Sequence, residues 1–220
     1  MQLIDLSQTI EPGMQLFRPK APKPVIKPWM SHEQSKASGI YQDCTCEISE
    51  AHFVTSLGTY LDSPYHFDPD GISIEQLDLS QLVLPGVVVD CTSVSESQPI
   101  GPAFWEDVEV SGKAVLFHTG WSRFWGQPEY YQHPYLNAET ANALLAGGAK
   151  LVGVDFLVID DTRNPRRPVH VTLLKNDILI VENLTNLESL PASGFTFHTA
   201  PIKFTGAAAF PVRAYAVLEG

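Results

Sequence analysis

The feature that most limits what this chain can fold into is a set of short segments that are apolar at nearly every position, such as Val87-Val88-Val89 and Ile178-Leu179-Ile180-Val181. A strand with one face in water alternates apolar and polar residues, so an unbroken apolar run of this length marks a strand covered on both faces. On this basis, and on their β-branched and aromatic content, eight segments read as strands. They are Gln2–Ser7, Asp43–Ile48, Val83–Cys91, Ala114–Thr119, Leu151–Ile159, Ile178–Glu182, Phe195–Lys203 and Ala209–Leu218. Helical signals are fewer. Asn137 stands as an N-cap before Ala138–Ala146, Glu139 falls in the first turn, and Gly147-Gly148 supplies the stop. A second helix is expected over about Val169–Lys175 and a short one from near Pro102. The pattern predicts a strand-rich α/β chain of layered sheets, and 220 residues suit one domain with a single core.

Composition narrows the function classes. A net charge of −11 repels polyanions, so nucleic acid and anionic membrane surfaces are poor partners, and a small molecule is the better expectation. The one basic cluster, Arg18, Lys20, Lys23 and Lys27, is threaded with Pro19, Pro22, Pro24 and Pro28 and reads as a solvated loop. No apolar run is long enough to span a bilayer. The N-terminal Met1-Gln2-Leu3-Ile4-Asp5-Leu6-Ser7 reads as a first strand rather than a secretion signal, so a cytoplasmic protein is expected. Cys44, Cys46 and Cys91 cannot all pair within one chain, which favours reduced thiols, with Cys44 and Cys46 packed as small apolar groups.

Chemistry concentrates in Ser56-Leu57-Gly58-Thr59-Tyr60-Leu61-Asp62-Ser63-Pro64-Tyr65-His66-Phe67. An extended stretch would place Ser56, Tyr60, Asp62 and His66 on one side. That arrangement suits a hydrolytic site, though Asp62 and His66 can equally be an ion pair closing a turn at Pro64. Downstream, His170 precedes Glu182 at the end of an apolar run. A carboxylate there needs a partner, either a metal or one of Arg163, Arg166 and Arg167. Asp160-Asp161, beside the same arginines, reads as an ion-paired loop. His52 stands four residues before Ser56, roughly 13 Å along an extended chain, and is too distant to serve as a ligand.

These segments resemble a known family. Ser56 to Phe67 is similar to the pattern His-x-Gly-Thr-His-x-Asp-x-Pro-x-His-Phe of the cyclase and kynurenine-formamidase-like hydrolases, and Pro168-Val169-His170 with Glu182-Asn183-Leu184 resembles its second motif. Ile4-Asp5-Leu6-Ser7, Val115 to Trp121 and Leu151 to Asp155 are also similar, so the resemblance runs through nearly the whole chain. It implies a swivelling β/β/α fold, hydrolysis of small amides, lactams or lactones, and a homodimer or homotetramer. It also implies Asp62, His170 and Glu182 as metal ligands and His66 as acid and base. Ser56 and Tyr60 replace two ligand histidines of the pattern. Serine is a weak ligand, and tyrosine must shed a proton before binding metal well. One divalent ion, zinc or manganese, is therefore the expectation, with Tyr60 in a catalytic role orienting substrate or donating to an oxyanion. Phe17, in a stretch resembling the family's N-terminal substrate-lining segment, joins Tyr65, Phe67, His118 and Trp121 as candidate substrate contacts. Two other functions remain open: metal-free lyase or isomerase chemistry through His66, Tyr60 and Glu182, and ligand binding without catalysis.

Overall fold

The computed structural model describes residues 1–14, 16–18 and 20–218. In chain order the strands are β1 (Gln2–Asp5), β2 (Val25–Met30), β3 (Ile48–His52), β4 (Tyr60–Asp62), β5 (Val83–Asp90), β6 (Pro99–Ile100), β7 (Ala114–His118), β8 (Tyr135–Leu136), β9 (Leu151–Val154), β10 (Leu179–Glu182), β11 (Ser193–His198), β12 (Ala209–Pro211) and β13 (Tyr215–Leu218). Among the described residues there are three α-helices, α1 (His32–Ala37), α2 (Ala138–Ala146) and α3 (Pro168–Leu174). Nine strands form one sheet in the order β1-β13-β11-β5-β7-β9-β10-β4-β12. Its centre, β5-β7-β9-β10, is parallel, and antiparallel strands extend it on both sides. The fold is the strand-rich α/β class expected.

The apolar runs are explained by two cores. Val87, Val89, Val115, Phe117, Val152, Val154 and Ile180 face α2 and α3, whose Leu144, Val169 and Leu173 pack on them. Leu84, Leu116, Leu151, Leu179 and Val181 point the other way, against Phe195, Phe197 and Ala216. Strands between two apolar layers have no polar face to show.

Local readings differ in several places, and the expected strands Leu151–Ile159 and Phe195–Lys203 end early, at Val154 and His198. Lys27 and Pro28, read as loop, lie in β2, which among the described residues pairs only with β3. A two-stranded ribbon leaves an open edge where the missing proline N–H costs no ladder bond, and the register shifts between Pro28 and Met30. The expected strand over Asp43–Ile48 begins only at Ile48, and neither Cys44 nor Cys46 is buried: Cys44 is exposed and Cys46 half-buried. The Cys46 N–H is held by Ser35 Oγ on α1 rather than by a neighbouring strand. That helix was not anticipated, although Ser31 and Gln34 form a capping box at its start. The run Ala209–Leu218 divides in two, because β12 joins β4 at one edge of the sheet while β13 inserts between β1 and β11 near the other.

Gly153 shows how closely the centre is packed. A Cβ there would stand 2.6 Å from Leu116 Cδ2 and 2.7 Å from Leu184 Cδ1. We expect Gly153→Val to cost about 1–3 kcal/mol through overpacking and to lower Tm by about 2–10 °C. Thermal denaturation with an unchanged Tm would show that the two leucines can move aside.

Candidate active site and metal centre

The site lies at the end of the sheet where the parallel strands finish, the usual place for ligands in sheets of this kind. Glu182 closes β10, and Tyr60 opens β4 directly opposite it; Ile180 and Asp62 form the next aligned pair but one. Directly opposed residues share a face, so Tyr60, Asp62 and Glu182 all project with Ile180 toward the helix layer. The approach to β4 is pinned to the end of β10. Asn183 Nδ2 donates to the Gly58 carbonyl at 2.8 Å, Thr59 Oγ1 donates to the Asn183 carbonyl at 2.6 Å, and Tyr130 Oη donates to Asn183 Oδ1 at 2.9 Å. Gly58 takes a φ of 62° at this crossing, which suits glycine.

After β4 the chain makes a 3-10 turn over Pro64–His66, which returns His66 Nε2 to 3.7 Å from Asp62 Oδ1. His170 comes from α3. Pro168 begins that helix, and the Asp160 carboxylate accepts from the Val169 and His170 N–H groups at 2.9 and 3.0 Å. The same carboxylate takes His170 Nδ1 at 2.6 Å, leaving Nε2 3.8 Å from Asp62 Oδ2 and 3.4 Å from Glu182 Oε1. Asp62, His66 and His170 thus each offer a ligand atom, all within 4.8 Å of one another. Asp62 has no exposed surface, and neither of its carboxylate oxygens has a hydrogen-bond partner among the described residues. An ionised carboxylate so placed is costly unless a cation meets it, so the donor set fits a divalent metal.

The electrostatics agree. Burial, reinforced by the Glu182 charge, raises the Asp62 pKa, against the lowering effect of His170. Burial alone would depress His170, but its bonds to Asp160 and Glu182 and the charge of Asp62 prevail and push it up to about 10. Burial and then the neighbouring His170 charge bring His66 down to about 4, so this ring is neutral and has a lone pair to give. Burial, Glu182 and Asp62 drive Tyr60 well above the usual phenol range, keeping it a neutral donor rather than a phenolate ligand. Its hydroxyl donates to Glu182 Oε2. For Glu182, burial raises the pKa, yet the bonds from His170, Tyr60 and the Ile159 N–H outweigh it and hold the group ionised.

Glu182 is held by Tyr60, His170 and Ile159 rather than by any arginine, its Oε1 3.4 Å from His170 Nε2, while His66 joins Asp62 and His170 in the group whose potential ligand atoms lie within 4.8 Å of one another. Only half of the ion-paired loop reading survives. Asp161 does pair with Arg163 at 2.8 Å, but Asp160 is buried against His170. No short-range spacing announces that Asp160 will cap a helix eight residues further on and orient its histidine. A cavity of about 550 Å³ opens over Tyr60, His66, His170 and Glu182, with Phe17, Phe67 and Ser56 in its walls. Gln15 and Pro19, which flank the segment carrying Phe17, lie outside the described residues.

Tyr65, His118 and Trp121 are not among the residues lining this cavity. Tyr65 is exposed on the turn that turns His66 inward. His118 ends β7, two strands from β10, and Trp121 follows it, packed on Phe124 with ring centroids 4.8 Å apart. Val158, Thr162 and Arg167 line the cavity without having been anticipated. A larger space of about 710 Å³, walled by Met14, Trp125 and Tyr131, borders it and shares Arg18. It contains none of the candidate metal ligands.

Residues 4–161 match the Cyclase family, a span that contains Asp62, His66 and Asp160 while His170 and Glu182 lie beyond it. Kynurenine formamidase of Bacillus cereus is 27% identical over 213 residues, covering 96% of this chain and 95% of that protein. The enzyme of the same name from Bacillus mycoides is 31% identical over 159 residues, covering 71% and 73%. Among solved structures, isatin hydrolase A from Labrenzia aggregata superposes with a TM-score of 0.87 at 21% identity, covering 100% of this chain and 94% of that one, a likeness of fold. A family match over most of the chain, reinforced by relatives that align along nearly its full length, establishes that this protein belongs to the cyclase family.

Proposed function

We propose that the chain is a metal-dependent hydrolase that opens the C–N bond of a small aryl amide or lactam, or the C–O bond of a related lactone. The observation that carries this reading is the buried Asp62 carboxylate, without hydrogen-bond partners among the described residues and flanked by His66 and His170. The names of the relatives, kynurenine formamidase and isatin hydrolase, support it. Asp62, His66 and His170 would hold one zinc or manganese ion. When bound there, such an ion polarises a carbonyl and acidifies water.

The remaining steps belong to the chain. Glu182 stays ionised and accepts a proton from the attacking water. Tyr60, whose hydroxyl rests on Glu182 Oε2, provides a neutral donor toward the leaving nitrogen. Asp160 orients His170 by holding Nδ1, so that Nε2 faces the site. Phe17 and Phe67 offer apolar walls for an aryl group. We also propose that the chain works as a homodimer or homotetramer. The exposed Val25, Ile26 and Trp29 of β2 and Ile48 of β3 support this, because a two-stranded ribbon is marginal without a surface to cover it.

Protein purified without chelator should carry about one zinc or manganese per chain. Asp62→Ala should lose the metal and reduce aryl-formamide hydrolysis by about a hundredfold or more. Metal analysis that finds none, even after the ions are offered, would overturn the reading. Turnover that survives exhaustive chelation would place the chemistry in Tyr60 and Glu182 alone. Asp160→Asn keeps the side-chain shape but removes the charge on His170 Nδ1, and should weaken metal affinity by about tenfold or more in a chelator competition. An unchanged affinity would mean that packing alone orients the ring.

A further inference from the structure

The fold divides the basic cluster of the N-terminal segment. Lys27 pairs with Glu50 at 3.8 Å across the β2–β3 ribbon, while Arg18 and Lys23 stand in the wall of the space of about 710 Å³ beside the metal cavity. Neither Arg18 nor Lys23 has an ion-pair partner among the described residues. The Arg18 guanidinium lies over the Phe17 ring at 5.7 Å instead. Glu11 is the one acid among the described residues of that wall. In a chain with 25 acidic residues against 14 basic ones, two cations to one acid reverse the composition. Much of the remaining lining is apolar. Met14 and Leu16 are buried in a small core with Leu57, apart from the two that flank the main sheet. Trp125 is half-buried and stands edge-on to Tyr130, with ring centroids 5.2 Å apart. Tyr131 donates its hydroxyl to the Leu16 carbonyl at 3.0 Å, which ties the N-terminal segment to the segment after β7. A space of this size suits a small organic molecule, and a wall that joins apolar side chains to unpaired cations selects one with an apolar body and an anionic head. None of Asp62, His66 and His170 lines it, so a molecule held here is bound without being turned over.

We infer that this space is a second ligand site, distinct from the metal cavity, for an amphipathic organic anion that acts as an effector. The apolar body rests on Met14, Leu16 and Trp125, and Arg18 and Lys23 meet the anionic head. Arg18 lines both spaces, and Phe17 beside it walls the metal cavity. An anion that draws the guanidinium away from the Phe17 ring therefore alters a wall of the active cavity, and two sites that share a movable group are coupled in their affinities. The effector role rests on the hydrolase reading of the metal cavity, whereas the binding does not.

The test titrates the protein as purified with the fluorescent probe 8-anilinonaphthalene-1-sulfonate and with N-phenyl-1-naphthylamine, which has the same rings without the sulfonate. Wild type should bind about one sulfonate per chain, about tenfold or more tighter than the neutral amine. Lys23 is exposed, so Lys23→Glu should leave Tm unchanged while bringing the two affinities close together. Phe67→Ala, in the wall of the metal cavity, should leave sulfonate binding as it is. Equal affinity for the two probes in wild type, or a preference that Lys23→Glu leaves intact, overturns the site. Sulfonate binding that Phe67→Ala abolishes places the probe in the metal cavity and overturns it too. With the metal bound, saturating sulfonate should raise KM for formanilide by about twofold or more, and Arg18→Gln should remove the effect. An unchanged KM overturns the effector role. Formanilide that is not hydrolysed at all counts against the hydrolase reading alone, since the two titrations decide the site without turnover.

Discussion

The burial of Asp62 is the constraint to which the rest of the site answers. A carboxylate removed from water and given no donor costs several kcal/mol, on the order of what a domain has to spare. The surrounding structure makes this cost meaningful by supplying no relief of its own. Among the described residues neither oxygen has a hydrogen-bond partner, while His66 and His170 stand at 3.7 and 3.8 Å from them. That is too far for strong hydrogen bonds and about the right spacing for ligands that share a third centre. Backbone order follows from the same need. The contacts of Asn183, Thr59 and Gly58 hold β4 against β10, and without that clamp Asp62 would have no fixed position relative to α3.

His170 shows how the same charge is balanced when the proton takes the place of a cation. Asp62, Asp160 and Glu182 surround its ring, and their combined field raises its pKa to about 10 against the pull of burial. A site that favours an imidazolium so strongly is one built for positive charge. Tyr60 is the complement. Where the family pattern has a second ligand histidine, this chain has a phenol that its environment keeps protonated, and the hydroxyl joins Glu182 rather than the ligand group. The substitution puts a neutral hydroxyl, hydrogen-bonded to Glu182, where the pattern has an imidazole.

Much of this was readable in the chain because the informative residues are close in sequence or sit at the ends of apolar runs. Asp62 and His66 are four apart, and Glu182 closes an unmistakable buried strand. The central parallel strands showed themselves because both faces are covered. What escaped notice depends on tertiary placement. Asp160 and Asp161 are chemically identical neighbours, yet one is buried under α3 and the other half-exposed beside Arg163, a difference that no local pattern encodes. His118 and Trp121 sit in a stretch that resembles the family, but sheet order puts β9 between β7, which His118 ends, and β10, so both stand at another part of the same edge, with Trp121 packed on Phe124. The β2–β3 ribbon was obscured for a different reason: its prolines argue against a strand, and only its isolation from the main sheet makes them tolerable.

The division of labour between rigid and irregular segments explains why chemistry and recognition can diverge within one fold. Asp62, His170 and Glu182 lie on β4, α3 and β10, elements locked by the two cores, so their separations are set by packing that tolerates little change. Arg18, Thr162 and Arg167 lie outside strands and α-helices, on loop and capping positions that approach the cavity from outside. Such segments can change residue without disturbing either core, which makes them the natural place for one member of a family to acquire its own substrate preference. Arg167 is the exception that ties the two layers together. Its left-handed backbone lies between Asp160 and Pro168, the residues that start α3 and hold His170, so the geometry that places the histidine also fixes Arg167 at the cavity wall.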